Sequence, residues 1–366
     1  MAVKSFQITD ELEKLYPLSL CESYDNAGLI IGDREKEIEK ILLCLDVTEG
    51  VMDEAVNKNI DMIISHHPLI FTGQKSILKE NSLSRTIMNA IKNDINIYSM
   101  HTNFDNANNG MNDILASLLE LEDIKPLVNN KPQSLYKFVV YVPAAYENIV
   151  REAIFKSDAG HTGNYSNCSF NTNGKGTFKP LKGSNPFIGE VGNMEYTDEV
   201  RIETIVKENQ IKETLNRVLE VHPYEEVAYD IFPLKNEIKR GTGRVGNLKK
   251  PIKFKDFCNY VKEKLKAPYL NVAGDMDKTV KKIAVVGGSG SEFIKDALKC
   301  GCDVILTGDI KHHDALDSIY NGINIIDASH YYTEIVCIPY FKKIISEFFD
   351  GEIIISNVDI HPFNKV

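Results

Sequence analysis

The sequence predicts an α/β protein: a discontinuous core with a mostly parallel sheet, and a smaller α+β domain inserted into it. Three observations lead there. First, short runs rich in Ile, Leu and Val alternate with segments of helical spacing over residues 1–130 and again over 239–366. Such alternation with short connections marks parallel strands covered by helices. Second, the rhythm breaks near residue 132, passes through a Gly- and Asn-rich stretch at 160–192, and resumes after the glycine-rich Arg240-Gly241-Thr242-Gly243-Arg244-Val245-Gly246. Third, polar residues capable of chemistry follow one apolar run after another, at the strand ends where open α/β sheets place their ligands. With 366 residues the chain is long enough for two or three domains.

The elements follow in order. Residues 8–16 read as a helix with Thr9 as its cap. A turn-rich segment, Ser23-Tyr24-Asp25-Asn26-Ala27-Gly28, leads into the apolar 29–31. Residues 41–45 form a strand stopped by Asp46-Val47-Thr48, and 49–57 have helical spacing. The next strand, 60–64, closes on His66 and His67, because Pro68 cannot donate to a ladder. Residues 82–93 are helical, 95–100 a strand ending in His101-Thr102-Asn103-Phe104-Asp105, and 109–121 helical. The insert, 131–238, reads strand 135–142, helix 145–156, strand pieces such as 165–170, strand 200–206, helix 210–221 and strand 227–232. That β-α-β-β-α-β order is the ferredoxin-like unit. The core then returns with helix 254–265, strand 282–286 ending in Gly287-Gly288-Ser289-Gly290-Ser291, and helix 292–300. Strand 304–306 ends in Thr307-Gly308-Asp309, helix 310–320 follows, and strand 323–326 ends in Asp327-Ala328-Ser329-His330. A long helix, 331–349, and a strand, 352–356, complete the core. The two outer segments share their element order, but no residue-level repeat stands out.

Composition excludes several functions. Hydrophobic and charged fractions of 43% and 26% are those of a soluble globular protein. The net charge of −10 disfavours bare nucleic acid, whose binding leans on Lys and Arg. No apolar run is long enough for a membrane span, and the N-terminus lacks the apolar centre of a signal peptide. The seven cysteines are scattered, with Cys44 and Cys337 in apolar runs, so a reducing compartment, the cytoplasm, is expected.

The candidate site begins with His66 and His67. At a strand end the chain is turning, and both imidazoles can lean into one crevice. The plainer alternative is a pair of structural histidines bonded to backbone. His330 and Glu334 are four apart at a helix start and share a face. Asp105 lies beyond another strand on the same expected edge. Three imidazoles and two carboxylates suit two divalent ions, with Glu334 bridging and positions left open for water. Mixed N/O ligands without thiolate suit Zn, Mn or Fe(II), with no choice among them. Asp25, Asn26, His101 and His313 also flank strand ends, where they can orient a ligand or exchange protons with substrate. Each also has a purely structural reading. The run 287–291 could cradle a phosphate, but it matches no phosphate-loop pattern, and a tight strand-to-helix turn is favoured. His222-Pro223-Tyr224-Glu225-Glu226 could contact a small molecule or metal, though a turn between helix and strand is the safer reading.

Together the segments 23–29, Ser65-His66-His67-Pro68, 101–105, Thr307-Gly308-Asp309 with His313-Asp314-Ala315, and Asp327-Ala328-Ser329-His330 with Glu334 resemble the NGG-one-interacting-factor-three-like family. Many of its bacterial members carry the name GTP cyclohydrolase I type 2 homologue. The insert resembles the extra domain of the longer bacterial members and is similar to CutA-type and nitrogen-regulatory trimeric proteins. The resemblance implies a dinuclear metal centre on His66, His67, Asp105, His330 and Glu334, and a ring-shaped homohexamer with its sites facing an internal cavity. His312 departs from the family, which more often has an aromatic residue there. The function expected is a metal-dependent hydrolase acting on a small molecule, either opening a purine ring of a nucleotide or cleaving a phosphoester. His101 or His313 would shuttle protons. The competing expectation is a non-catalytic metal-binding scaffold or regulator.

Overall fold

The computed structural model describes residues 3–363. The chain divides into two compact units, Met1–Lys131 with Arg240–Val366, and Pro132–Lys239.

The first unit opens with β1 (Val3–Lys4), α1 (Ser5–Leu15), β2 (Gly28–Ile31), β3 (Glu37–Ile38), β4 (Lys40–Cys44), α2 (Glu49–Asn57) and β5 (Met62–Ser65). It continues with α3 (Ser82–Lys92), β6 (Asn96–Ser99), α4 (Thr102–Asn106), α5 (Met111–Leu118) and β7 (Glu122–Pro126). The second unit holds β8 (Gln133–Pro143), α6 (Glu147–Phe155), β9 (Ser169–Phe178), β10 (Glu195–Lys207), α7 (Ile211–Val221) and β11 (Tyr229–Ile238). Back in the first unit come β12 (Arg244–Lys253), α8 (Phe254–Lys264), β13 (Asn271–Ala273), β14 (Thr279–Ser289), α9 (Ile294–Lys299) and β15 (Val304–Gly308). Last are α10 (His312–Tyr320), β16 (Asn324–Asp327), α11 (His330–Glu334), α12 (Ile338–Ile345) and β17 (Glu352–Ile355). Among the described residues no helix is long and apolar enough to cross a membrane.

The first unit carries two larger mixed sheets, where the sequence predicts one mostly parallel sheet. In the order β17-β4-β5-β6-β2 the first four strands are parallel and β2 runs against them. In the order β13-β16-β15-β14-β12-β7 only β14, β15 and β16 are parallel. The strands β4, β5 and β15 are almost entirely buried, as expected of parallel strands covered on both faces.

Hydrogen bonds reveal a repeat that apolar pattern alone hides. Asp61 Oδ2 accepts from the backbone N–H groups of Glu39 and Lys40, both at 2.9 Å. Asp303 Oδ2 accepts from those of Lys281 and Lys282, both at 2.9 Å. Asn96 Oδ1 takes the Asp33 N–H at 3.1 Å, and Asn324 Oδ1 takes the Asp275 N–H at 3.0 Å. Gly32 and Gly274, at φ +131° and +128°, lie against these two amides, where a Cβ would stand 2.0 and 2.1 Å from the Oδ1 atoms. Only glycine permits that approach. The matched residues are turn and edge residues, and the apolar ones between them differ freely. By this correspondence His66-His67 after β5 matches Gly308-Asp309 at the end of β15.

Several boundaries differ from expectation. Helix α1 starts at Ser5, because the Lys4 N–H is taken by Gln7 Oε1 at 2.9 Å. Thr9 is therefore inside the helix, its hydroxyl bonded to the Phe6 carbonyl at 3.2 Å. The expected long helix 331–349 is broken into α11, a 3₁₀ turn at Ile335–Cys337 and α12. Pro339 sits in the first turn of α12, where its missing N–H costs nothing, but it cannot continue an earlier helix. Strand β12 went unpredicted, since its lysines and Pro251 obscure it; the ladder to β14 shifts register between Asn247 and Ile252, around that proline.

One buried side chain closes the first unit. Arg244 is 1% exposed. Its guanidinium donates to Asp113 Oδ1 (2.6 Å) and Oδ2 (2.8 Å), and to the carbonyls of Ala107 (2.6 Å), Gly241 (2.8 Å) and Gly243 (2.8 Å). All five N–H donors of an arginine are thereby used. The second unit builds one sheet, β11-β8-β10-β9, with every neighbour antiparallel, over a core that includes Phe138, Val150, Ile154, Ile202 and Val218.

Removing one partner of a buried ion pair leaves an uncompensated charge. Asp113→Ala is therefore expected to destabilise the first unit by about 3–5 kcal/mol, read as a lowered urea midpoint. Arg244→Lys should rescue little of the fork geometry that Arg244→Met removes.

Candidate metal centre

The site is built where strands end. His66 and His67 follow β5, and their backbone N–H groups still ladder to the carbonyls of Cys44 (3.2 Å) and Leu45 (2.9 Å). His101 follows β6 and precedes α4, which carries Asp105. His330 opens α11 after Ser329, a non-glycine residue at φ +67°, and Glu334 closes it.

Four imidazoles are oriented in the same way. His66 Nδ1 is 2.7 Å from the Met100 carbonyl, and His67 Nδ1 is 2.8 Å from Asp46 Oδ1. His101 Nδ1 is 2.7 Å from Asp25 Oδ1, and His330 Nδ1 is 2.7 Å from Asp309 Oδ2. A proton shared on Nδ1 leaves Nε2 as the free ligand atom, which is how metal-binding histidines are usually held. Asp25 is itself fixed by the Thr102 N–H at 3.0 Å and by the Thr102 hydroxyl.

The free atoms converge. Glu334 Oε2 lies 2.9 Å from His67 Nε2 and 3.1 Å from His330 Nε2, and Oε1 lies 3.7 Å from His66 Nε2. Asp105 Oδ1 is 3.7 Å from His66 Nε2, and the Nε2 atoms of His67 and His330 are 3.4 Å apart. His66 Nε2, Asp105 Oδ1 and Glu334 Oε2 are buried and have no aligned hydrogen-bond partner. Unsatisfied buried polar atoms are rare, and three within one site call for partners there. Atoms bound about 2.1 Å from one tetrahedral ion stand about 3.4 Å apart, so the spacing and the donor types fit a divalent cation. Among the described residues the ligand-capable atoms form two sets, His66 with His67 and His101, and His67 with His330 and Glu334.

Burial grades across the site. The side chain of His66 is 0% exposed, Glu334 5%, His67 20% and His330 38%, so the centre opens to solvent on the His330 side. Burial works against charge on His67, yet its contacts with Asp46 and Glu334 raise it to about 10. His330 is raised to about 9 by Glu334 and Asp309 against the same opposition. Glu334, although buried, is held well below the usual carboxylate range by His330 and His66. Asp105 moves the other way, pushed up by loss of hydration that the imidazoles do not offset.

The sequence-predicted residues His66, His67, Asp105, His330 and Glu334 thus lie together, with His101 and Asp25 beside them. His313 is exposed on α10, and neither it nor Asp105 belongs to the two ligand-capable sets; Asp105 is tied to the centre by its 3.7 Å approach to His66. The residue of that connection which reaches the centre is Asp309, at φ +56°. Asn26 is spent on the Ile70 carbonyl at 2.6 Å. Sequence reasoning gave no site role to Asp46, seen only as a strand-ending residue, to Gly288, or to Asp309, named only as part of a strand-ending motif that carries the resemblance. The glycine run is a bulged strand end, with β14 re-pairing Ser289 to Gly308 beyond a register shift. At Gly288, φ +65°, a Cβ would stand 2.2 Å from Glu334 Oε1 and 3.2 Å from His330 Nε2.

A model of the family described as Duf34/NIF3 (NGG1p interacting factor 3) matches residues 3–362. A protein named GTP cyclohydrolase 1 type 2 homolog from Halalkalibacterium halodurans is 41% identical over 359 residues, covering 97% of this chain and 96% of its own. One of the same name from Bacillus subtilis is 41% identical over 367 residues, covering 99% and 98%. The crystal structure of a Bacillus cereus protein related to NIF3 superposes with a TM-score of 0.91 at 37% identity, covering 100% of this chain and 99% of that one.

Replacing Asp46 or Asp309 by Asn should weaken Zn or Mn binding by about 10- to 100-fold, the usual cost of losing a carboxylate behind a ligating histidine. Competition with a chromogenic chelator reads the change. Gly288→Ala should lower metal affinity at least as far, because the new methyl occupies the place of the Glu334 carboxylate.

Proposed function

The chain belongs to the Duf34/NIF3 (NGG1p interacting factor 3) family, and from that membership we infer that it is a hydrolase dependent on two divalent metal ions, acting on a nucleotide or a related purine or phosphate compound. The observation that carries this reading is the pair of ligand sets sharing His67. In this reading His66, His67, His330 and Glu334 of those sets hold the ions together with Asp105, which lies outside both sets with its Oδ1 3.7 Å from His66 Nε2, and His101 is kept for proton handling. Zn, Mn and Fe(II) all match a nitrogen–oxygen donor set without thiolate. Such ions supply Lewis acidity to a hydrolytic reaction.

The chain's own groups supply the proton handling. Burial opposes ionisation of Asp25, but bonds with His101 and Thr102 bring it down to about 2. It therefore stays an acceptor and keeps a proton on His101 Nδ1, leaving Nε2 as the atom that takes or gives a substrate proton. The relatives' name, GTP cyclohydrolase 1 type 2 homolog, supports a purine nucleotide as the first substrate to try.

The second unit is read as a ferredoxin-like insert, supported by its β-α-β-β-α-β order and the strand order β11-β8-β10-β9. A ring-shaped cytoplasmic homohexamer completes the reading. Exposed apolar side chains of the insert, Phe170 at 69%, Leu181 at 71% and Tyr196 at 71%, support a second reading, a metal-binding scaffold that recruits a partner.

Metal-loaded protein should turn over GTP or another member of a nucleotide and phosphoester panel, followed by chromatography of products. Glu334→Ala should reduce the rate by at least about 1,000-fold while retaining the native circular dichroism spectrum. Zn at 100 times its Kd should add about 2.7 kcal/mol of stability to the wild type and none to that variant. Full metal loading with no turnover on the panel would overturn the hydrolase and leave the scaffold.

A further inference from the structure

The second unit contains a cavity that the metal centre leaves unexplained. Its volume is about 390 Å³, within the range of small-molecule sites. It lies under the 178–188 segment, and its walls include Phe178, Leu181, Phe187, Tyr224 and Glu199. The rings of Phe178 and Phe187 stand 5.8 and 6.4 Å from that of Tyr224, so three aromatic faces and edges surround one space.

The sequence assembles this space deliberately through the His222-Pro223-Tyr224-Glu225-Glu226 segment. His222 is buried; its Nε2–H donates to the Tyr141 carbonyl at 3.0 Å, and its Nδ1 accepts the Tyr224 N–H at 3.1 Å. Both ring nitrogens are used as in a neutral imidazole, and burial lowers the His222 pKa accordingly. The histidine is thus a staple that sets the direction of Tyr224. The Tyr224 hydroxyl donates to Glu199 Oε1 at 3.0 Å. Glu199 needs a bare backbone opposite it: a Cβ on Gly176 would come within 2.3 Å of Oε2. Glu225 and Glu226 stand at the rim, Glu225 accepting the Asn185 N–H at 2.7 Å, and Lys179 is the one basic residue of the lining.

Aromatic faces present negative potential, and a carboxylate beside them adds a full charge in a partly dehydrated place. A polyphosphate would be repelled here. From the aromatic walls and the Glu199 carboxylate, we propose that this cavity is a binding site for a small organic cation, an ammonium group carried on an apolar body. The ammonium sits against Glu199 and the Tyr224 ring, and the body fills the space between Phe178, Phe187 and Leu181. The lining belongs wholly to the second unit, and the proposal does not depend on the hydrolase reading.

Calorimetric titration of the full chain tests it, with benzylamine, charged at pH 7, as the probe and benzyl alcohol and benzoate as neutral and anionic counterparts. The expected result is saturable binding of one benzylammonium per chain, at least tenfold tighter than benzyl alcohol, with no binding of benzoate. Glu199→Gln keeps an acceptor for the Tyr224 hydroxyl and should cost benzylammonium at least tenfold while leaving benzyl alcohol unchanged. Phe187→Ala, on an exposed segment, should weaken both. Glu334→Ala should change neither. Equal binding of the amine and the alcohol, or an unchanged affinity in Glu199→Gln, overturns the proposal. So does absence of probe binding together with a halved or smaller sedimenting mass in Phe187→Ala, which would make the space a contact between copies.

Discussion

A carboxylate withdrawn from water must be compensated by nearby charge or hydrogen bonds, and Glu334 is such a group at the middle of the first unit. Its two oxygens meet the imidazoles of His66, His67 and His330, drawn from distant parts of the chain. Much of the local structure serves this arrangement. Strand β14 bulges at Gly288 to make room for the carboxylate, and the Gly288 N–H is bonded to the Thr333 hydroxyl at 3.0 Å, one residue before Glu334. The helix changes pitch immediately after Glu334. An isolated acid here would protonate; surrounded by ring nitrogens it stays ionised.

The convergence of the candidate residues was legible in the sequence because they follow strand ends. Apolar runs that stop at His66-His67, His101 and His330 announce where the chain turns; parallel order aligns the first two, on β5 and β6, while the third follows β16 of the other sheet. The supporting residues were not legible. An aspartate after a strand, such as Asp46 or Asp309, is the ordinary way to end one, and only coordinates separate a turn former from a partner of an imidazole. His313 is a different case: its type suggested chemistry, while the connection before α10 turns through Asp309 and the histidine lies exposed, outside both ligand-capable sets. The missed β12 has a plain cause, since a proline and three lysines outweigh its few apolar positions. Pro339 was the overlooked signal for the break in the last long helix.

The two halves of the first unit share a framework of Asp, Asn and Gly contacts, but they have divided the chemistry. After β5 the matched pair is His66-His67, which offers two imidazoles; at the end of β15 it is Gly308-Asp309, which offers a carboxylate to His330 and a bare backbone. At Gly308 a Cβ would be 2.5 Å from the His330 backbone nitrogen, so the glycine lets α11 start close to its neighbour strand. At the matched position one half thus presents imidazoles, and the other presents a carboxylate that orients the His330 ring.

The junction around Arg244 bears on how such a chain can vary in length. Before and after the insert the backbone runs as a short ladder: Leu127 N–H to the Gly243 carbonyl at 3.2 Å, Val128 to Thr242 at 3.1 Å, and Lys131 to Arg240 at 3.2 Å. Chain leaves and returns on adjacent rungs, anchored below by the guanidinium. A whole module can therefore be lost, gained or replaced at that hairpin with a single tight reconnection, and the hearth of imidazoles and acids beneath it keeps its shape.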